Sequence, residues 1–393
     1  MACLWASQLK GDGVAALNSS VVHLTMRFNE QELSIGTGFL YERDGQMYII
    51  TAWHNVTGRN AESLELLSRR GATPNNVLAT LALCTSTGMA LRVSIEVQLL
   101  DDEKSLYFIH PHSYPKVDVV AIPLDTSVPH RMLGSIHDGR VVDIPMYLVG
   151  ERGPGVTTRL CPVQEFVLKR DDVARDWFAG VDVTDELFIP GYPKNVQDTY
   201  GQPTWKRATI ASSVQLGWNR MPKFLVDSAS RSGMSGAPVF YYNTSGRVQI
   251  RGASFQTAAP AAILAGVYVG RIGNGNSPAG DAAAGHPSDL DAQLGIVWRA
   301  DVIDEIIAAR QYERLPESIL ESPDAVEAAV REHLARCTRA IVGHIRNSEA
   351  ATRYYARSTI QEALGGRATP RQVLDTLLHV AESYDGPFAP EEA

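Results

Sequence analysis

Cysteine is scarce in this chain: the 393 residues hold four, Cys3, Cys84, Cys161 and Cys337, scattered along its length. Such spacing offers no disulfide framework, so the sequence predicts a bridge-free protein in a reducing, cytoplasmic compartment. Long apolar runs are missing as well. Nothing reaches the ~20 residues of a membrane-spanning helix, and Met1 through Leu24, with Trp5, Lys10 and Asp12, lacks the basic and apolar segments of a secretory signal. Basic residues are not in excess either. Acids number 44 against 36 Lys and Arg, a formal charge of −8, which argues against nucleic acid as a partner. No metal, cofactor or membrane is expected. Asn55-Val56-Thr57 and Asn243-Thr244-Ser245 match the glycosylation pattern and are read as chance.

What the chain does have is short Val/Ile/Leu/Tyr-rich runs punctuated by Gly, Asp, Asn and Pro. One series runs from Ser20 to Val149 and a second from Arg159 to Trp298, which reads as mainly β. At Asp301-Val302-Ile303-Asp304-Glu305-Ile306-Ile307 the period switches to helical, with an acid at the cap position. Beyond Pro316 the pattern is helical throughout. Ser322-Pro323-Asp324 is a strong helix start, and Val326, Val330, Leu334, Cys337, Ile341 and Ile345 then form a single apolar stripe. Ser348 can open a second helix that stops at Gly365-Gly366. A third opens at Thr369-Pro370, with Val373, Leu374, Leu377 and Leu378 on one face. The boundaries predicted are 1–314 for the β domain and 315–393 for a small helical bundle, acting as a brace or as an adaptor for a regulatory partner or self-association.

Ser232-Gly233-Met234-Ser235-Gly236-Ala237-Pro238-Val239 wedges a serine between glycines before an apolar strand. Small neighbours admit a substrate carbonyl, and a tight turn can aim successive N–H groups at one point. A hydroxyl needs a general base, usually a histidine steered by a buried carboxylate. Met47-Tyr48-Ile49-Ile50-Thr51-Ala52-Trp53-His54 is an apolar run ending on a histidine. Val117-Asp118-Val119-Val120-Ala121 places an acid inside a hydrophobic strand, where an unpartnered carboxylate would be costly. Asp125 lies close enough to compete for that role. His110, His112, His130 and His137 lack comparable flanks and read as surface residues.

These fragments resemble the chymotrypsin/trypsin-like serine peptidases, in the disulfide-free bacterial branch. The likeness rests on Gly36-Thr37-Gly38-Phe39, Thr51-Ala52-Trp53-His54, Val117-Asp118-Val119-Val120-Ala121 and Gly233-Met234-Ser235-Gly236-Ala237-Pro238. Ile189-Pro190-Gly191-Tyr192-Pro193 and Pro203-Thr204-Trp205-Lys206-Arg207 add to it, and it covers roughly residues 15 to 313. It implies two six-stranded antiparallel β-barrels with a catalytic triad at their seam. In that triad His54 is the base, Asp118 its orienter and Ser235 the nucleophile, with the amides of Gly233 and Ser235 as oxyanion hole. The implied activity is a serine endopeptidase acting on protein or peptide through an acyl-enzyme, as a regulated effector inside the cell. The competing reading is a catalytically silent protease-fold scaffold working through its helical adaptor.

Two departures from the family pattern stand out. Met234 replaces the aspartate that pairs with a freshly cut N-terminus, and no activation site precedes Gly36, so zymogen cleavage is not expected. Asn55 stands where secreted relatives carry a bridged cysteine. The resemblance also places Ala229 or Ser230 at the base of the specificity pocket, which disfavours Lys or Arg preference, although Asp227 is near. Tyr268, Val269 and Gly270 would pair with substrate backbone, Arg271 could favour acidic side chains, and the Gly/Ala/Pro-rich loop at 271–293 would border the pocket or form a surface insert.

Overall fold

The computed structural model describes residues 13–61, 66–67, 73–88, 90–101, 104–112, 116–135, 141–168, 175–229, 231–250, 253–257, 260–271, 294–314, 322–348, 351–352, 355, 368 and 370–390. The chain divides into two compact units. One comprises Met1–Thr57, Pro74–Asp101 and Ser105–Glu313, and the other Gly58–Thr73, Asp102–Lys104 and Arg314–Ala393.

The apolar runs become strands because alternate side chains along each can be buried on one face. Leading the first unit is α1 (Gly13–Asn18), followed by β1 (Val21–Phe28), β2 (Gln31–Arg43), β3 (Gln46–Thr51) and α2 (Trp53–Thr57). Next come β4 (Asn76–Thr85), β5 (Ala90–Gln98), β6 (Leu100–Asp101), β7 (Lys104–Ile109) and β8 (Val120–Leu124). The first half ends with β9 (His130–Ser135), β10 (Val141–Met146), β11 (Gly150–Gly153) and β12 (Val156–Leu160). The second half holds α3 (Arg175–Gly180), β13 (Glu186–Gly191), β14 (Thr204–Ile210), β15 (Lys223–Asp227) and β16 (Ala237–Asn243). It continues through β17 (Arg247–Ile250), β18 (Ala253–Gln256), β19 (Ala261–Arg271), β20 (Leu294–Arg299), α4 (Asp301–Ala309) and β21 (Gln311–Arg314).

Strands β13-β14-β15-β20-β19-β16 close into a six-stranded barrel. The first half does not match the expected second barrel. It is one 13-stranded sheet in the order β10-β9-β5-β4-β1-β2-β3-β8-β7-β21, with β6 paired to β7 and β12 linking β4 to β11, and among the described residues it stays open. Strand β4 pairs along its first half with β1 (Arg27↔Asn76 to His23↔Thr80) and at its far end with β12 (Leu160↔Leu83 to Thr158↔Thr85).

That register overturns the bridge-free expectation. Arg159 lies opposite Cys84, and Cys161 follows β12 directly, so Cys84 and Cys161 form a disulfide with Cα atoms 6.5 Å apart. The two are 77 residues apart in sequence, and spacing alone gives no sign of their proximity.

One apolar cluster runs through the first unit. It takes in Phe39, Ile50, Val117 and Val119 from the open sheet, Leu187, Phe224, Val239 and Val267 from the barrel, and Val302, Ile303, Ile306 and Ile307 from α4. Each such side chain contributes about 1.5–3 kcal/mol by leaving water. Helix α4 forms where expected, but Ala300 is its cap residue, and Asp301 sits in the first turn and pairs with Arg299.

In the second unit, α5 (Pro323–Ala335), α6 (Arg339–Asn347) and α7 (Pro370–Ser383) share a core of their own. The stripe read as continuous from Val326 to Ile345 is split, because Thr338 starts a new helix by accepting the Ile341 N–H on Oγ1 at 3.3 Å. Val326, Val330, Leu334 and Ile345 pack against Val373, Leu377, Val380 and Tyr384. The stripe is the core of these helices, and its burial there leaves Leu378, 44 % exposed, on the other face. The proposed stop at Gly365-Gly366 and the loop at 272–293 lie outside the described residues, as does Ser230.

A bridge closing so long a loop restricts the unfolded chain, an effect of about 2–5 kcal/mol. Dithiothreitol or Cys84→Ser should therefore lower the melting temperature by several degrees. Peptide mapping without reduction should recover a Cys84–Cys161 linked pair; free thiols at both positions and an unchanged melting curve would exclude the bridge.

Candidate active site

Strand β3 ends at Thr51, and the chain turns through Ala52 into the short helix α2, which carries His54 in its first turn. The first N–H groups of a helix have no partner within it. That of His54 donates to Asp118 Oδ1 at 2.9 Å, while the ring Nδ1 meets Asp118 Oδ2 at 2.8 Å. An ionised carboxylate only accepts, so the shared hydrogen sits on Nδ1 and leaves the lone pair on Nε2. Asp118 is not inside a strand as expected. It occupies a bend two residues before β8, which frees its carboxylate for this double contact, while Val117 and Val119 are buried on either side. Asp125 takes no part: it is bonded to the N–H and hydroxyl of Ser127 at 2.9 and 2.6 Å. His110 pairs instead with Glu305 at 2.7 Å, and His130 bonds the Asp125 carbonyl.

Burial of His54 works against its charged form, but the charge of Asp118 and the hydrogen bond to it outweigh that, and the imidazole pKa is raised above its ordinary 6.5. Both side chains keep some contact with solvent, 17 % and 13 % exposed.

Ser235 comes from the turn before β16. Its carbonyl accepts the Thr37 N–H at 2.9 Å and the Asn55 side-chain amide, also at 2.9 Å, so the residue following His54 reaches directly to the serine. Asn55 Nδ2 also donates to Thr51 Oγ1 at 3.0 Å. Opposite it, a Cβ on Gly36 would lie 2.5 Å from that nitrogen, so only glycine fits. The departure at Asn55 is thus a polar tie between the two halves, a role that its amide chemistry permits but that nothing in the sequence spacing indicates.

The hydroxyl of Ser235 donates to the Val269 carbonyl at 3.4 Å, a long bond, and is not bonded to His54. Gly233 has φ +95°, and a Cβ there would meet the Tyr192 carbonyl at 2.3 Å. The positive φ and the close approach together require glycine. Among the described residues, neither the Gly233 nor the Ser235 amide donates a hydrogen bond. Two unengaged N–H groups flank the serine.

Along β19, pairing with β16 ends at Tyr268↔Ala237, while pairing with β20 continues to Arg271↔Gly295. Val269 and Gly270 therefore lie on β19 just beyond its last pair with β16, beside Ser235. The space at Gly270 lies 3.9 Å from Ser235 Oγ. Ala229 is exposed just after β15, and Asp227 closes that strand, exposed and opposite Thr209 and Leu294. On the other side of Gly233 an open cavity of about 510 Å³ is lined by Ser34, Ile35, Lys194, Asn195 and Gly233 among others. Among the described residues no group of three His, Cys, Asp or Glu could hold a metal ion, and no helix is long and apolar enough to cross a membrane.

The chain matches no protein-family model and no curated protein. Its folded form is similar to bacterial serine proteases. The active form of the Rv3671c protease from M. tuberculosis shares 16 % identity over 77 % of this chain and 85 % of that one, with a TM-score of 0.33. For the serine endoprotease from Yersinia pestis the identity is 11 % over 76 % of this chain and 64 % of that one, with a TM-score of 0.36. Likeness this distant bears on neither activity nor substrate, which are read below from the site itself.

The ring of His54 should titrate above pH 6.5 in an NMR pH series. Asp118→Asn removes the charge that raises it, so the midpoint should fall below the wild-type value. An unchanged midpoint in that variant would show that Asp118 does not control the imidazole.

Proposed function

We propose that this protein is a serine endopeptidase of trypsin-like type, and the observation that carries this is the double hydrogen bond from His54 to Asp118 beside Ser235 and two unengaged amides. Asp118 fixes the Nδ1–H tautomer, leaving Nε2 to take the Ser235 proton as Oγ attacks a peptide carbonyl. The oxyanion that forms is received by the Gly233 and Ser235 N–H groups. Nε2–H then protonates the leaving amine, and water repeats the sequence to release the acyl group. The strand edge at Val269–Arg271 suits an extended peptide, which would pair there as an added strand. The family resemblance, which assigns Ala229 or Ser230 to the pocket base, favours a small or apolar side chain.

Attack requires the hydroxyl to leave the Val269 carbonyl and turn to His54. The long Ser235–Val269 bond is the one observation that favours the second reading, a silent scaffold. A fluorophosphonate probe separates the two, because it forms a covalent bond to Ser235 only if the base can engage it.

With no activation site and Met234 before the nucleophile, control is assigned to the 271–293 loop or to residues 316–393. Since the stripe of α5 and α6 is consumed in the helices' own core, a regulatory partner or second copy would have to use the opposite, exposed faces. The compartment hinges on the disulfide: a bridge that persists in cells points to an oxidising one, whereas its absence restores the cytoplasmic reading.

Ser235→Ala and His54→Ala should each lower turnover by roughly 10⁴-fold or more, and the double variant should be hardly worse than either. Multiplying losses would argue against a shared nucleophile and base. Wild-type protein that resists the fluorophosphonate while binding peptide would establish the scaffold instead.

A further inference from the structure

Glu313, on β21, is 1 % exposed. A carboxylate removed from water is costly unless its lone pairs are met. Here Oε2 accepts Trp53 Nε1–H at 2.9 Å and the Tyr107 hydroxyl at 3.0 Å, while Oε1 accepts Lys116 Nζ at 3.2 Å. Its own backbone N–H donates to Ser105 Oγ at 2.7 Å. Lys116 is itself buried, with Nζ 6.0 Å from the centre of the Trp53 ring. The partners are not random core residues. Trp53, fully buried, immediately precedes His54, and Lys116 stands two residues before Asp118.

We propose that Glu313 is a positioning residue for the His54–Asp118 pair, its buried carboxylate clasping the two segments that carry them from beneath. The inference rests on the triad reading above and goes beyond it, since Glu313 reaches neither the serine nor the substrate edge. His54 and Asp118 meet through two hydrogen bonds whose geometry depends on α2 and the bend before β8 keeping a fixed separation. The indole and ammonium groups bonded to one carboxylate set that separation a second time, below the site. An Asn or Gln in place of the carboxylate keeps the shape but loses the ionic bond to Lys116.

The test uses the full chain labelled with ¹⁵N-histidine, read as the wild type, Glu313→Gln, Trp53→Phe and a distant core variant, Phe224→Leu. The charged and titratable groups facing the carboxylate are Lys116 and Tyr107, and among the described residues Asp118 is the charged group bonded to the His54 ring. Glu313→Gln should bring the His54 midpoint down by roughly half a unit. On a chromogenic peptide it should lower kcat about 10- to 100-fold with KM little changed. Trp53→Phe, which removes one donor and keeps the ion pair, should move both readouts the same way by less, and it decides the matter if Glu313→Gln does not fold. Phe224→Leu should melt earlier with both readouts unmoved. A lower melting temperature with the His54 midpoint unchanged in both Glu313→Gln and Trp53→Phe would overturn the proposal and leave Glu313 a purely structural anchor. Should wild-type Ser235 resist the fluorophosphonate, the triad reading fails, while the His54 titration still decides whether Glu313 positions the pair.

Discussion

Thr37 is the residue on which the two halves of the β unit turn. It is fully buried in β2, and every polar atom it has crosses to something essential. Its N–H donates to the Ser235 carbonyl at 2.9 Å, its hydroxyl donates to the Gly233 carbonyl at 2.7 Å and accepts the Tyr192 N–H at 3.2 Å, and its carbonyl takes the Thr51 hydroxyl at 2.7 Å. Apolar contacts between the open sheet and the closed barrel are non-directional and tolerate sliding. Directional bonds remove that freedom: Asn55 to Ser235, His23 to Asn195 and Trp205 to Asn18, together with those of Thr37. A hydroxyl is needed here because it alone can donate and accept in so small a space; valine would fill the volume and strand two backbone groups.

The consequence for chemistry is indirect but strong. The Gly233 N–H shares its peptide plane with the Ser232 carbonyl, which accepts the Lys194 N–H at 2.7 Å, and the Ser235 N–H shares its plane with the Met234 carbonyl, which accepts the Ala237 N–H at 3.0 Å. Thr37, bonded to the next carbonyl along in each case, holds the turn that carries these two amides. Asn55 adds a second bond to the same Ser235 carbonyl, while its neighbour His54 is locked to Asp118. His54 and Ser235 are thus each held by buried hydrogen bonds of their own, to Asp118 and to Thr37 and Asn55, rather than by one to each other.

Much of this was legible in the sequence because it depends on local pattern. The apolar runs around His54 and Asp118, the glycines around Ser235 and the period change at Asp301 each report their own surroundings, and the residues they mark converge in the fold. What escaped was long-range. Cys84 and Cys161 meet through a β4–β12 register that no spacing encodes. Glu313 carries no local signal, since its partners lie 197 to 260 residues away. The stripe from Val326 to Ile345 was visible as a pattern, but periodicity cannot show that Thr338 interrupts it or which neighbour buries it. Asp118, expected to have a partner because a lone buried carboxylate is costly, bonds His54, while its bend was hidden within an apolar run.

Met234 completes the logic of the turn. At the position before the serine, where the proteases that the sequence resembles carry an aspartate, this chain buries a thioether completely. Its sulfur lies 3.0 Å from where a Cβ on Gly191 would be, so glycine at 191 is what makes room for it. An ion pair formed after cleavage would organise the oxyanion turn conditionally, because half of it must be created. Apolar packing has no such missing half: the side chain is desolvated as soon as the barrel closes, and its flexible thioether adapts to the gap left by glycine. The turn at Gly233–Ser235 is therefore assembled by folding itself. Under the proposed protease reading, restraint then falls on the access of substrate to the strand edge or on the bond that holds the serine to Val269, rather than on the shape of the turn.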